Sequence, residues 1–296
     1  MIKVVDAKVR SLDVDFVEVS WRVEDTQEDI LDYTFQILRC EAENGPYTAL
    51  SGVFQDKYQF IDNTIQPFML NRVLYYLIRV TLKATGQVVD FGPYSQEAEP
   101  DLITLELRRH LQTLYREFTG RRSWLLPART FGQRCSCWNY VLSKRVRSNC
   151  KSCYDTGFIR GYHSPVEIWA QIQPSVKNES ATNLGTMQSS DSTMRLVDFP
   201  AINPRDVIIE GENKRWRVVA VQPIEHVRAV VLQEAQIIEI QHSDIEYTVP
   251  LILEGALRDL WLSPARNYTN PQNLDNFLNE EIPNIFSLYG FPDTRL

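Results

Sequence analysis

Four of the five cysteines in this 296-residue chain fall within 19 residues, spaced Cys135-x-Cys137-x12-Cys150-x2-Cys153. Two close thiol pairs, each on a tight turn, can present four sulfurs to one point. Four thiolates in a tetrahedron are what Zn2+ takes in a structural site. That shell is closed and leaves no position for water or substrate, so the chemistry expected is structural rather than catalytic. Asn149 and the Gly157 turn let the chain double back, and Arg145 and Arg147, between the pairs, offset the negative charge of a four-thiolate centre. Two disulfides, or four reduced core thiols, fit the same spacing, and His163 is an alternative ligand. An odd cysteine count with four of them clustered does not resemble a disulfide framework. In a reducing compartment, clustered cysteines more often hold metal. Cys40 lies in a strand pattern and reads as a buried thiol.

Other chemistry is not written in the chain. There is no phosphate-binding glycine loop, no His-Glu-x-x-His and no Gly-x-Ser-x-Gly. The four histidines, His110, His163, His226 and His242, are dispersed, and no carboxylates form a recognisable pair. The expectation is a protein that is not an enzyme.

The elements that must position the cysteines are basic. Residues 106–160 hold 12 Lys/Arg against 3 Asp/Glu, within a chain of 31 against 38 and net charge −7. Such a stretch suits nucleic acid or an acidic protein surface, or is a solvated helix face. Asp101 can cap a helix in which Leu107, Leu111, Leu114 and Phe118 form one apolar stripe. Arg108, Arg109 and Arg116 lie between them, Arg121 and Arg122 follow, Gly120 ends the helix and Pro127 marks a linker. A helix with one apolar stripe needs a surface to lie against, on its own chain or on a partner. Residues 99–130 therefore read as a helical linker and 131–163 as a zinc knuckle.

Residues 1–98 read as short strands divided by turns. Phe16-Val17-Glu18-Val19-Ser20-Trp21-Arg22-Val23 puts Val17, Val19, Trp21 and Val23 on one face. Tyr33-Thr34-Phe35-Gln36-Ile37-Leu38-Arg39, Phe60-Ile61-Asp62-Asn63 and Tyr75-Tyr76-Leu77-Ile78-Arg79-Val80-Thr81-Leu82 follow, with turns at Asn44-Gly45-Pro46 and Thr85-Gly86. Strands at this spacing over about a hundred residues argue for a β-sandwich. Ser20-Trp21, the Tyr33–Arg39 strand and Tyr76-Leu77-Ile78-Arg79-Val80 together resemble a fibronectin type III domain. Trp21 and Tyr76 are expected in its core.

From Pro165 the chain returns to strands. Val166-Glu167-Ile168-Trp169-Ala170-Gln171-Ile172 alternates, residues 175–192 are polar and read as a mobile loop, and Thr193-Met194-Arg195-Leu196-Val197 resumes the sheet. Pro204-Arg205-Asp206-Val207-Ile208, Gly211, Trp216-Arg217-Val218-Val219-Ala220-Val221 and Ala235-Gln236-Ile237-Ile238-Glu239-Ile240 complete a small barrel over 164–248. The string from Pro204 to Val221 resembles the β-barrel of tailed-bacteriophage head-closure, or head-tail connector, proteins. The cysteine segment, with Trp138-Asn139 and Tyr154-Asp155-Thr156-Gly157-Phe158, resembles neck proteins that carry a cysteine knuckle beside such a barrel.

That resemblance implies a virion protein at the neck, made in the host bacterial cytoplasm. It implies a homo-oligomeric ring, portal or adaptor and tail-terminator or tail proteins as partners, and nonspecific contact with DNA in the channel. A baseplate or tail-completion component and a zinc-stabilised nucleic-acid-binding protein are the other readings. Residues 249–296 suggest a short helix at Leu253, Leu257, Leu260 and Trp261. A proline-broken arm with Phe277, Phe286, Leu288, Tyr289 and Phe291 follows, docking on a neighbour or folding back. The first residues meet Asp6 too early for a signal peptide, and no apolar run reaches the ~20 residues of a membrane span. The fold class expected is mostly β: a fibronectin type III-like sandwich, a helical linker, a zinc knuckle, a small β-barrel and an extended C-terminal arm.

Overall fold

The computed structural model describes residues 2–13, 16–65, 73–95, 101–173, 176–182, 185–227 and 229–251. The chain forms two compact units, Met1–Leu105 with Thr130–Lys144, and Glu106–Arg129 with Arg145–Leu296. Among the described residues the structure is mostly β, with one short helix, a closed six-stranded barrel and a four-cysteine cluster. The aromatic and proline residues of the C-terminal arm, and the helix expected at Leu253–Trp261, lie outside the described residues.

The first unit is a sandwich. One sheet has the order β1 (Val4–Asp13), β2 (Phe16–Val23), β5 (Gln59–Asp62), and the other the order β4 (Thr48–Ala49), β3 (Tyr33–Cys40), β6 (Tyr75–Leu82), β7 (Val88–Ser95). The alternation along β2 has the expected consequence: Val17, Val19, Trp21 and Val23 are all buried. They pack with Phe35, Ile37, Tyr76, Ile78 and Val80 of the facing sheet in one cluster. Trp21 lies 5.9 Å from Phe35 and 6.4 Å from Tyr58, ring centre to ring centre. Such aromatic pairs contribute about 0.5–1.5 kcal/mol beyond the area they bury. The core also holds a carboxylate. Asp62 accepts from Arg39 at 2.6 Å, from Tyr76 Oη at 2.9 Å and from the Thr64 N–H at 3.0 Å. Burial, with Asp62 beside it, keeps the Tyr76 hydroxyl un-ionised. Cys40, expected to be buried, is half-buried at the end of β3, because Gly45 rather than a larger side chain closes over its sulfur.

In the second unit, α1 (Leu102–Leu114) leads through a five-residue turn into β8 (Arg121–Leu126). The remaining barrel strands are β11 (Val166–Ile172), β13 (Gly185–Val197), β14 (Val207–Ile209), β15 (Arg215–His226) and β16 (Ala229–Glu239). The barrel runs β8-β14-β15-β16-β13-β11 and closes where β11 pairs with β8, Val166 opposite Leu125. Leu125, Ile168, Ala170, Met194, Leu196, Ile208, Trp216, Val218, Ala235 and Ile237 fill the interior. Trp124, Leu126, Val207 and Ile209 point the other way and are covered by Ala128, Tyr162, Ile240, Val249 and Leu251. β8 and β14 are thus buried on both faces, which explains why Trp124-Leu125-Leu126 and Val207-Ile208-Ile209 are continuous apolar runs. The first barrel strand comes from the span that reads in sequence as a linker.

Two expectations are corrected here. Of residues 175–192, expected as a loop, 176–182 and 185–192 are strand: β12 (Val176–Thr182) pairs with the first half of β13, from Val176 opposite Asp191 to Thr182 opposite Gly185. The second half of β13 pairs with β16 in the barrel, from Asp191 opposite Ile238 to Val197 opposite Leu232. The backbone of this ribbon is paired although its sequence is polar. Of the apolar stripe expected on α1, only Leu111 lies on its packed face. Arg108, Leu111 and Tyr115 face the barrel, while Leu107, Leu114 and Phe118 are 38%, 42% and 77% exposed. Arg108 decides this rotation: its guanidinium donates to the Val230 carbonyl at 2.8 Å and pairs with Asp198 at 3.2 Å.

Candidate metal centre

The base of the cysteine segment is zipped shut by backbone pairing. Arg129 N–H donates to Gly161 O at 2.9 Å, and His163 N–H to Pro127 O at 2.9 Å. The Arg129 side chain, itself buried, donates to the Tyr162 carbonyl at 3.0 Å. Gly161 is required here: it has φ +68°, and a Cβ would stand 2.6 Å from the Cys153 carbonyl oxygen. Further along, Gly132 O accepts from Thr26 N–H and Thr26 O from Arg134 N–H, both at 3.0 Å. Arg134 bonds Asp25 at 3.0 Å and stacks over the Trp138 ring at 3.9 Å. β9 (Trp138–Asn139) and β10 (Lys144–Arg145) form a short hairpin whose turn is held by Asn139 Oδ1, accepting from Val141 and Leu142 N–H at 2.9 and 3.0 Å.

The ligand atoms of Cys135, Cys137, Cys150 and Cys153 all lie within 4.8 Å of one another. Cys135, Cys137 and Cys153 are buried and Cys150 is half-buried, and none of the four is in a disulfide. The turns that present them are local. Trp138 N–H closes back on Cys135 O at 2.9 Å, and Tyr154 N–H on Cys150 O at 2.8 Å. Asn149 has φ 56°, as a doubling-back of the chain requires, and Tyr154 and Asp155 follow with φ 45° and 63°. Thr156 donates twice to the Cys153 carbonyl, from N–H at 2.9 Å and from Oγ1 at 2.8 Å.

The donor set fits a metal ion. With Zn–S bonds of about 2.3 Å, sulfurs in a tetrahedron stand about 3.8 Å apart, and small side-chain rotations bring thiols within 4.8 Å to that distance. Three buried thiols with no apolar reason to converge are better satisfied as thiolates on a cation than as neutral sulfurs facing each other. His163 is not in the cluster. The four cysteines expected as ligands are therefore brought together as a set.

The basic stretch fares differently. Arg108, Arg122 and Arg129 are spent inside the protein: Arg122 bonds Glu167 at 2.7 Å with only 15% of its side chain exposed. Arg145, expected to offset the thiolates directly, pairs instead with Asp155 at 3.1 Å. The exposed cations concentrate at the hairpin. Every residue from 140 to 149 is exposed, including Lys144, Arg145 and Arg147. So are its apolar side chains, Tyr140 at 50%, Val141 at 92%, Leu142 at 56% and Val146 at 65%. Sequence reasoning named Asp155 only within Tyr154-Asp155-Thr156-Gly157-Phe158, with no role of its own. A single carboxylate carries no spacing signal, and its role appears only once Cys150 and Arg145 are folded onto it.

No helix among the described residues is long and apolar enough to cross a membrane. No protein-family model matches the chain, and no curated protein matches it. A solved structure that does match is a chain of the virion of a native gene transfer agent particle, 18% identical. The match covers 40% of this chain and 94% of that one, with a TM-score of 0.26, a likeness too slight to bear on function.

Proposed function

We propose that this chain is a structural virion protein of a tailed phage, forming a neck or connector ring between portal and tail, and that it is not an enzyme. In this reading Cys135, Cys137, Cys150 and Cys153 hold one structural Zn2+. The observation that carries the assembly role is the exposed hairpin: four apolar side chains at half exposure or more, beside cations and with no acidic residue between 134 and 154. Exposed apolar clusters rimmed by charge mark surfaces that a partner covers. Portal, adaptor or tail proteins and further copies of this chain are the partners proposed. Electron microscopy of the purified protein tests the reading. A ring supports it, and a protein that stays monomeric alone and with portal and tail proteins overturns it.

A zinc-stabilised nucleic-acid-binding protein is the second reading, favoured by the excess of Lys and Arg in residues 106–160. The burial of Arg108 and Arg129 and the pairing of Arg122 count against it, because a phosphate-binding face needs its cations free. A tight, sequence-selective DNA complex would favour that reading. Weak, steeply salt-dependent binding is what DNA passing through a channel requires.

A further inference from the structure

We infer that Asp155 is a positioning residue of the metal centre, fixing the least buried of its four cysteines. The inference rests on the metal reading of the four thiols. Cys135, Cys137 and Cys153 are 3%, 5% and 0% exposed, so the surrounding protein holds them. Cys150 is half-buried and has less of that support.

Asp155 supplies it. Its Oδ1 accepts from the Cys150 N–H at 3.1 Å, and its Oδ2 accepts from the Asn149 N–H at 3.2 Å. One carboxylate thus grips two successive amides at the entry of the Cys150–Cys153 turn, from a position two residues past its exit. The grip is itself anchored twice. Arg145 pairs with Oδ1 at 3.1 Å, and Arg205 donates to the Asp155 carbonyl at 2.7 Å. Arg145 also cancels the charge of a carboxylate that would otherwise stand unpaired near four thiolates. The backbone records the constraint: Asn149, Tyr154 and Asp155 all have positive φ, and Tyr154 has no polar side chain of the kind that eases that conformation. Such backbone persists where surrounding contacts over-determine it, and here those contacts converge on a ligand.

A plain turn cap would make the same hydrogen bonds without reference to metal, and the two roles separate by experiment. Full-length wild type, Asp155→Ala, Asp155→Asn and Arg145→Ala are each prepared zinc-loaded and stripped. Metal retention is measured by chelator competition, and melting temperature is measured in both forms. Outer-shell contacts of this kind change metal affinity by about 10–100-fold. Asp155→Ala is expected to lose metal that much more readily and to narrow the loaded-minus-stripped difference in melting temperature. Asp155→Asn keeps an acceptor for one amide and should fall between. Arg145→Ala, which breaks only the ion pair, should lose least. With Co2+ in place of zinc, the thiolate-to-cobalt absorption of Asp155→Ala should weaken as Cys150 drops out. Wild-type retention by Asp155→Ala and Asp155→Asn, or an equal loss of melting temperature in loaded and stripped forms, overturns the inference and leaves the metal reading standing. A wild type that binds neither zinc nor cobalt overturns both.

Discussion

In the N-terminal sandwich, stability comes from apolar faces meeting. Val19, Phe35, Ile37, Tyr76, Ile78 and Val80 are fully buried, and the deeply buried carboxylate Asp62 has a guanidinium, a phenol and an amide of its own. Between the two cysteine pairs nothing comparable exists. Residues 140–149 are exposed without exception, and the segment's buried side chains are three of the thiols with Thr156, Phe158 and Tyr162. A sandwich of about a hundred residues can offset its ordering entropy by burial, whereas a segment of some twenty residues with no core of its own needs a cross-link or a metal. The contrast teaches where each kind of damage should be felt.

Removing the metal should produce the largest effect. Metal-binding energy in structural zinc sites is folding energy, on the order of 10 kcal/mol in zinc-finger peptides. Cys150→Ser, or chelation, should therefore unfold the cysteine segment while the sandwich keeps its own transition. Elemental analysis should find one zinc per chain, and calorimetry should show a metal-dependent transition. A metal-free chain of unchanged stability would erase the contrast between the two regions.

Breaking the sandwich from inside comes next. Asp62→Ala leaves the buried Tyr76 hydroxyl without its acceptor and the Arg39 guanidinium without its carboxylate, and removal of one partner of a buried pair costs about 3–5 kcal/mol. Denaturant unfolding should register that loss with and without metal, which marks the damage as independent of the cysteines.

The barrel offers a third case, a buried carboxylate without a guanidinium to match that of Asp62. Asp206 accepts from Ala128 and Asn203 N–H at 2.8 and 2.7 Å. Burial pushes its pKa up to about 7, against the pull of those two amides. The folded state therefore holds this proton more tightly than the unfolded chain does. The contribution is fully present below the unfolded value near 4 and is lost as pH rises through 7. At about 1.4 kcal/mol per unit, wild type should lose roughly 2–3 kcal/mol from this group between pH 5 and pH 8. Asp206→Asn should be less stable at pH 5, having lost one amide acceptor, and should show a flatter pH dependence. Parallel pH profiles for the two proteins would rule out this account.

The smallest effect on stability is expected at the hairpin tip. Val141→Ser with Leu142→Ser touches only exposed side chains, and surface changes of this kind stay within about 0.5 kcal/mol. Assembly with portal or tail proteins, followed by sedimentation, should nevertheless fail. Normal assembly by the double variant would remove the hairpin from the proposed interface.

Much of the fold was legible from local pattern. Strands Phe16–Val23 and Tyr75–Leu82 have the bounds that their alternation suggests, and Trp21 and Tyr76 lie in the core where their sequence context puts them. β8 was missed although Trp124-Leu125-Leu126 between Gly120 and Pro127 is the signature of a short strand buried on both faces; a preceding helix pattern absorbed it. The polar ribbon of β12 and β13 carried no signal, because its sequence shows no apolar alternation although its backbone is paired.

What the sequence by itself determined is what sits close along the chain: the two cysteine pairs, the turn at Asn149 and the period of the sandwich strands. Their physics acts over a few residues, through spacing, φ and side-chain alternation. Only the tertiary structure decided which arginines are free. Arg108 reaches Val230 and Asp198, and Arg122 reaches Glu167 across the β8–β11 pairing. Such partners meet only after the barrel closes, because an ion pair between residues 45 or 90 apart depends on register, and register is set by the whole sheet.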